Sequence, residues 1–442
     1  MGVMLQAFYW DCPREDKQEG TWWSFVTAKL VDLKEVGFSA LWLPPASKAA
    51  NIGGMSMGYD VYDYWDLGKY DQKGSVKTWF GSEGELRTLI KTAHEHGIQA
   101  YADLVLNHNN GADAQELNPI TGTMRWTKFS PKSGRFTRDW TCFNPSPYPD
   151  LTPATFGDMP DLCHINPRVS TNILNNAKWL IEEIGYDGFR YDFVKGFASW
   201  MIRAIHDRTY HRGGHPVKVF GVAECWEGDN YISGWLDSVN NWAETRVAAF
   251  DFPLRYRLKD MCDKFGYSLR GLADGGVVSK QRPLEAVTFV DNHDFSGGDC
   301  VINDKILAYA YILTHEGYPC VFWKDYFNFG LAQLGQPSGI ARLVQVHEKY
   351  AAGATNVLWV DDVFYAMERT GAASQPGLVF CLNNSGGVLD RTLRSGFAGR
   401  RLKPVAWNSH DGSLVPTEIV AGSDGACTVR VGPRGYVVYA PA

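Results

Sequence analysis

Residues 83–106 read EGELRTLIKTAHEHGIQAYADLVL. Apolar residues fall at helical spacing over 83–96, and 99–106 is a short apolar run of strand length. A helix running straight into such a run is the repeating unit of a parallel βα fold. Working outward, similar runs recur: VMLQAF at 3–8, ALWL at 40–43, DGFRYDF at 187–193, KVFGVAE at 218–224, VAAFDF at 247–252, EAVTFV at 285–290 and PCVFW at 319–323. With QAYADLVL at 99–106 that makes eight. Eight strands alternating with helical stretches such as 83–96 and 171–184 predict a closed (β/α)8 TIM barrel in preference to an open doubly wound sheet.

One interval breaks the rhythm. Residues 107–165 are rich in Asn, Pro, Gly, Thr and Trp and poor in helical periodicity, which predicts a small domain inserted after strand 3. After residue 350 short β-rich runs (VFYAME, LVFCLN, ACTVRV, YVVYAP) alternate with Gly, Asn and Asp turns, predicting a C-terminal antiparallel β-sandwich. The expected division is a barrel at 1–106 and 166–350, an inserted domain at 107–165 and a sandwich at 351–442. With no low-complexity linker, these units should pack tightly together.

Composition narrows the function. The chain has 442 residues and a formal charge of −6, with Lys and Arg scattered singly. That distribution offers no basic stripe for nucleic acid or an anionic membrane surface, and no apolar run is long enough to span a bilayer. A neutral, polar substrate fits better. The 16 Trp and 21 Tyr would suit stacking on sugar rings, although most aromatics fill core. The nine cysteines form no CxxC pair, so neither a zinc ribbon nor a redox motif is signalled. The opening MGVMLQAFYW lacks the features of a signal peptide. The expectation is a secreted protein whose leader is absent from this sequence, the alternative a cytoplasmic one; a monomer is expected.

In a βα barrel the active site forms at the C-terminal strand ends. Four runs end there in chemistry-bearing residues: Asp103, Asn107 and His108; Arg190 and Asp192; Glu224; and Asp291, Asn292, His293 and Asp294. Carboxylates are rarely buried unless paired, so this set is costly to build without a use.

DLVLNH at 103–108, GFRYDFVKG at 188–196, GVAEC at 221–225 and FVDNHD at 289–294 resemble, in order and spacing, the four signature segments of the alpha-amylase family. The likeness extends through MLQAFYW, SMGYDVYDYWDLGKYDQKG at 56–74 and AYAYILTHEGYPCVF at 308–322, and is nearest to archaeal and plant-type members. It implies a retaining glycoside hydrolase acting on α-1,4-glucan chains. The chemistry is intelligible from the residues too, since glycosidic cleavage needs one acid for the leaving oxygen and one carboxylate facing the anomeric carbon. Glu224, between Ala223 and Cys225 and near Trp226, suits the acid because an apolar setting favours the neutral form. Asp192 suits the nucleophile, since Arg190, two residues earlier on one strand, points to the same side and would keep it ionised.

The resemblance assigns Asp294 to stabilising the oxocarbenium-like state, with His108 and His293 bonding the same sugar ring. Tyr59 matches the aromatic under the reacting sugar, Asp63 the acid four residues on, and Lys195 the lysine on the leaving-group side; Trp226 and Trp42 are further candidates. The resemblance also implies Ca2+, held by Asn107, Asp150, Asp161 and the carbonyls of Gly196 and Ala154. Zinc is doubtful: Cys163 aligns with a zinc ligand of some archaeal relatives, but Asn144 and the stretch near Pro149 replace the histidines, and adding His164 does not complete a closed site. Phe295 replaces the usual threonine after the last catalytic aspartate. Rival readings are an exo-acting maltooligosaccharide-forming amylase, a glucan transglycosylase, and a non-catalytic glucan-binding protein.

Overall fold

The computed structural model describes residues 2–51, 56–149, 154–240, 247–372 and 374–442. All eight predicted strands form: β1 Val3–Gln6, β2 Phe38–Trp42, β3 Gln99–Leu104, β4 Gly188–Tyr191, β5 Phe220–Ala223, β6 Ala248–Phe250, β7 Ala286–Phe289 and β8 Tyr318–Phe322. They close into one parallel barrel in the order β1-β8-β7-β6-β5-β4-β3-β2. Register places Asp103 opposite Arg190 across β3 and β4. The interior is filled with aromatics: Trp42 and Phe250 lie 5.3 Å apart and Phe250 meets Phe289 edge-on at 5.3 Å. Gly188 admits this packing, since a Cβ there would run into the backbone of Phe220.

The helix Glu83–Glu95 starts at Ser82 in a capping box with Glu85 and turns Leu86, Leu89, Ile90 and Ala93 onto the barrel. The helix predicted at 171–184 begins earlier, at Pro167 behind the Asn166 cap, and its last turn widens into a π-helical segment, Leu180–Ile184. Proline at a first helical position satisfies the start signal, which periodicity alone had placed too late.

Between β3 and β4 the described residues include a hairpin, Ala114–Asn118 with Thr123–Lys128. The C-terminal strands form a six-stranded antiparallel sheet faced by a two-stranded one, Leu389–Arg394 with Ala426–Val431. The large sheet is covered on both sides. Phe364, Ala366, Val379, Cys381, Val437 and Tyr439 pack toward the small sheet, while Tyr365, Met367, Phe380, Leu382, Tyr436 and Val438 join the barrel core. This explains why LVFCLN and YVVYAP read as continuous apolar runs rather than alternating ones. Among the described residues no helix is long and apolar enough to cross a membrane. Cys12, Cys142, Cys225, Cys262, Cys300, Cys320, Cys381 and Cys427 are free thiols.

Candidate active site

The four strand ends meet around one guanidinium. Arg190 is buried; its Nη1 lies 2.8 Å from Asp103 Oδ1 and 2.8 Å from Asp192 Oδ1, and its Nη2 lies 2.9 Å from Glu224 Oε2. Its flat face sits over the rings of Trp42 and Tyr59. Asp103 is held further by the Trp42 indole N–H at 3.0 Å and the Tyr59 hydroxyl at 2.8 Å. Three carboxylates on one cation leave excess negative charge in a buried place. Burial pushes the Asp192 carboxyl well above the ordinary carboxylate range; Arg190 opposes this, and Glu224, Asp103 and Asp294 reinforce it. Burial raises Asp103 and Asp294 as well, again against Arg190. Arg190 does bond Asp192 and favour its ionised form, as the spacing predicts, but its one charge is divided among three carboxylates.

Glu224 differs from its expected setting too. Besides Arg190 Nη2, it accepts the Phe193 backbone N–H at 2.8 Å. Phe193 adopts a left-handed conformation, φ 43°, so the chain turns sharply after Asp192 and aims this amide across at β5. Two N–H donors, one cationic, replace the apolar seat inferred from Ala223 and Cys225.

Asp294 sits at the end of β7, its N–H bonded to Asn292 Oδ1 at 2.9 Å, and is the more open of the acids. His293 is buried, and burial, with Arg190 adding, drives its pKa down to about 3. Gln6 donates from Nε2 to His293 Nδ1 at 2.9 Å, which assigns the proton to Nε2, 3.4 Å from Asp294 Oδ1. Tyr59 stacks on His293 at 5.2 Å. His108 donates from Nε2 to the Tyr59 carbonyl at 2.9 Å and stacks on Phe156 at 4.8 Å. Lys195 Nζ reaches the Trp226 carbonyl at 3.1 Å and Glu227 at 2.6 Å.

Asp192, Glu224, Asp294, Tyr59, His108, Lys195 and Trp226 all line one cleft of about 800 Å³, together with Trp10 and Phe156. Trp42 stays in the barrel core. Asp63 is buried away from the cleft, bracing Gln72 at 2.8 Å and Ser133 at 2.9 Å. Three contributors escaped the sequence reading. Gln6 lies inside the run VMLQAF and proves to end β1 only in the structure, so strand-end logic applied to the run passed over it. Trp10, half exposed and stacked near Tyr59 and His293, and Phe156 carry no such signal.

Of the residues implied for calcium, Asp150 lies outside the described residues and Ala154 is coil at the edge of that gap. The others converge. Residues 107–109 pair with 160–162 through Leu162 N–H to Asn107 O, 2.8 Å, and Asn109 N–H to Pro160 O, 3.1 Å, which sets Asp161 beside Asn107. One terminal atom of the Asn107 amide lies 2.8 Å from Gly196 O and 3.3 Å from Asp161 Oδ1. A Cβ at Gly196 would strike that amide. If the atom is nitrogen, it donates to both oxygens; if oxygen, three acceptors share a small space that a cation would balance. His108 decides between them. Its Nε2–H is committed to Tyr59, so Nδ1 is an acceptor, and only the second orientation turns the Asn107 NH2 toward it, at 3.5 Å. The donor set therefore fits a hard cation. Cys163, by contrast, is engaged by Ser146 Oγ at 3.2 Å, and among the described residues no three His, Cys, Asp or Glu side chains gather as a metal site.

A closed parallel barrel with carboxylates gathered on one arginine at its C-terminal mouth is the architecture of the (β/α)8 enzymes, whose active sites form at that face. Residues 14–131 match the family described as "Alpha amylase, catalytic domain". The chain is 30% identical to an alpha-amylase of Bacillus licheniformis, covering 99% of this chain and 93% of that one. It is 30% identical to a glucan 1,4-alpha-maltohexaosidase of Bacillus sp. (strain 707), covering 96% and 89%. The fold superposes on a three-domain cyclomaltodextrin glucanotransferase with a TM-score of 0.72 at 20% identity, covering 99% and 98%. The chain belongs to the alpha-amylase family of glycoside hydrolases.

Proposed function

We propose that this enzyme cuts internal α-1,4-glucosidic bonds of starch, glycogen and maltooligosaccharides by double displacement, with retention of configuration. The observation that carries this reading is Arg190, whose two Nη atoms hold Asp192 at 2.8 Å and Glu224 at 2.9 Å. Two carboxyls bonded to one guanidinium are held near one another, which supports the retaining route, in which the pair stands about 5–5.5 Å apart, over the inverting one, which needs about 6.5–9.5 Å.

Asp192 attacks the anomeric carbon while Glu224 gives its proton to the departing glycosidic oxygen; Glu224 then takes a proton from water, which releases the sugar from Asp192. Asp294 and the Nε2–H of His293 meet the hydroxyls of the distorted sugar, Tyr59 stacks beneath it, and His108 bounds the same ring. Lys195 and Trp226 take the leaving-group side. Trp10, stacked near Tyr59, and Trp226 add aromatic surface to the same cleft, which suits stacking on a glucan chain.

On the same reading the chain divides into a barrel at 1–106 and 166–350, an insertion at 107–165 and a sandwich at 351–442. Asn107, Asp161 and the Gly196 carbonyl, joined by Asp150 and the Ala154 carbonyl, would hold Ca2+, which would clamp the insertion beside the turn that follows Asp192. Incubation with soluble starch and calcium near neutral pH tests the proposal: reducing sugar should appear, and Asp192→Asn should abolish it. Unchanged release by that variant removes Asp192 from the chemistry.

A further inference from the structure

Phe295 directly follows Asp294 yet points away from the cleft. Its ring lies 3.6 Å from the guanidinium carbon of Arg255 and 5.1 Å from Trp226. Arg255 is buried on the helix Phe252–Asp263 that follows β6. Its Nε donates to Val290 O at 3.1 Å, and its Nη2 to Asp291 Oδ1 at 2.7 Å and to Asp299 O. The other oxygen of Asp291 takes Lys305 at 2.8 Å and the Val301 N–H at 3.0 Å. One guanidinium thus grips the segment around Asn292, His293 and Asp294 before them, just after them and at its far end.

The same helix face reaches the neighbouring loop. Phe252 stacks on Trp226 at 5.0 Å, and the Trp226 indole N–H donates to Tyr256 at 2.8 Å. Residues 252, 255 and 256 lie three and four apart, so they present one surface. That surface joins the loop bearing Asp294 to the one bearing Glu224, while neither Arg255 nor Phe295 lines the cleft.

We infer that Arg255 and Phe295 form a clamp that positions Asp294 relative to Trp226 and Glu224, so that its integrity sets the rate of the chemical step rather than substrate affinity. The inference rests on the reading in which Asp294 takes part in catalysis. An arginine suits the place because its flat guanidinium stacks face-on against a ring while its N–H groups bond in the plane, a geometry the compact ammonium of a lysine does not reproduce.

The test is steady-state kinetics on maltoheptaose, well below each variant's melting temperature. Arg255→Lys and Phe295→Leu should each lower kcat by about 10- to 100-fold while KM stays within about twofold, since a small misplacement of a catalytic group is expensive. Phe295→Tyr, which keeps the ring, should retain kcat. The double variant should be about as slow as the slower single one, because both changes break one stack. If Arg255→Lys does not fold, Phe295→Leu against Phe295→Tyr carries the test. Lower melting temperatures with unchanged kcat, or a loss confined to KM, would overturn the clamp. An active Asp294→Asn variant would instead overturn the role of Asp294 itself.

Discussion

Arg190 Nη2 sits 2.9 Å from Glu224 Oε2 while Nη1 of the same guanidinium sits 2.8 Å from Asp192 Oδ1, so the two acids assigned to cleavage are tied to one buried cation. Replacing that cation should be severe. Arg190→Met leaves Asp103, Asp192 and Glu224 facing one another without a counter-charge, and losing one partner of a buried ion pair costs about 3–5 kcal/mol. Urea denaturation should show a loss of that order at neutral pH; a midpoint within error of the parent would mean that the carboxylates do not depend on Arg190.

Glu224→Gln keeps the size of the side chain and removes its proton. General-acid catalysis is worth about 10²–10⁴-fold, so kcat on starch should drop within that range. Substrates with a good leaving group, such as aryl maltosides, need less protonation and should lose much less in the first step. Equal losses on both substrates would take Glu224 out of the acid role.

His293 gives a pH dependence of defined sign. Its folded pKa, down to about 3, lies below the unfolded value near 6.5, so its contribution to stability is complete above about pH 6.5 and is lost as pH falls toward 3. The buried acids Asp103, Asp192 and Asp294, raised in the fold, act in the opposite sense: they penalise the folded state less as pH falls. Between pH 6.5 and 4 the parent should therefore lose more stability than His293→Gln, in which the histidine term is absent. Parallel curves for the two proteins would show that His293 is not held neutral.

Calcium supplies a fourth check. Chelation should lower the melting temperature, and added Ca2+ should raise it in a concentration-dependent way, about 2.7 kcal/mol at a hundredfold excess over Kd. Asp161→Asn should blunt that response. A melting temperature indifferent to chelator in the parent would leave the Asn107, Gly196 and Asp161 oxygens without their proposed ion.

Much of this was legible beforehand because barrel strands are buried on both faces and announce themselves as short apolar runs. The rule that chemistry gathers at strand ends then brought Asp103, Arg190, Asp192, Glu224 and Asp294 together. What stayed hidden depends on backbone turns and on side chains crossing between elements. The Phe193 amide reaches Glu224 only because that residue turns left-handed, which no local pattern signals in a phenylalanine. The division of Arg190 among three acids needs the β3–β4 register as well as the two-residue spacing on β4. Strands of two or three residues, such as Lys48–Ala49 with Val61–Asp63 and Tyr210–Arg212 with His215–Val217, are too short for any period to show. The change to phenylalanine at 295 was visible as a departure, but its partner Arg255 is forty residues away and could be matched to it only in three dimensions.

The central claim is double displacement through Asp192, and the most direct measurement is ¹H NMR of the products released from maltoheptaose in the first turnovers, before mutarotation. The account predicts that new reducing ends appear as the α-anomer, with several oligosaccharide lengths present from the outset. Initial release of the β-anomer would mean inversion by a single displacement and would contradict it.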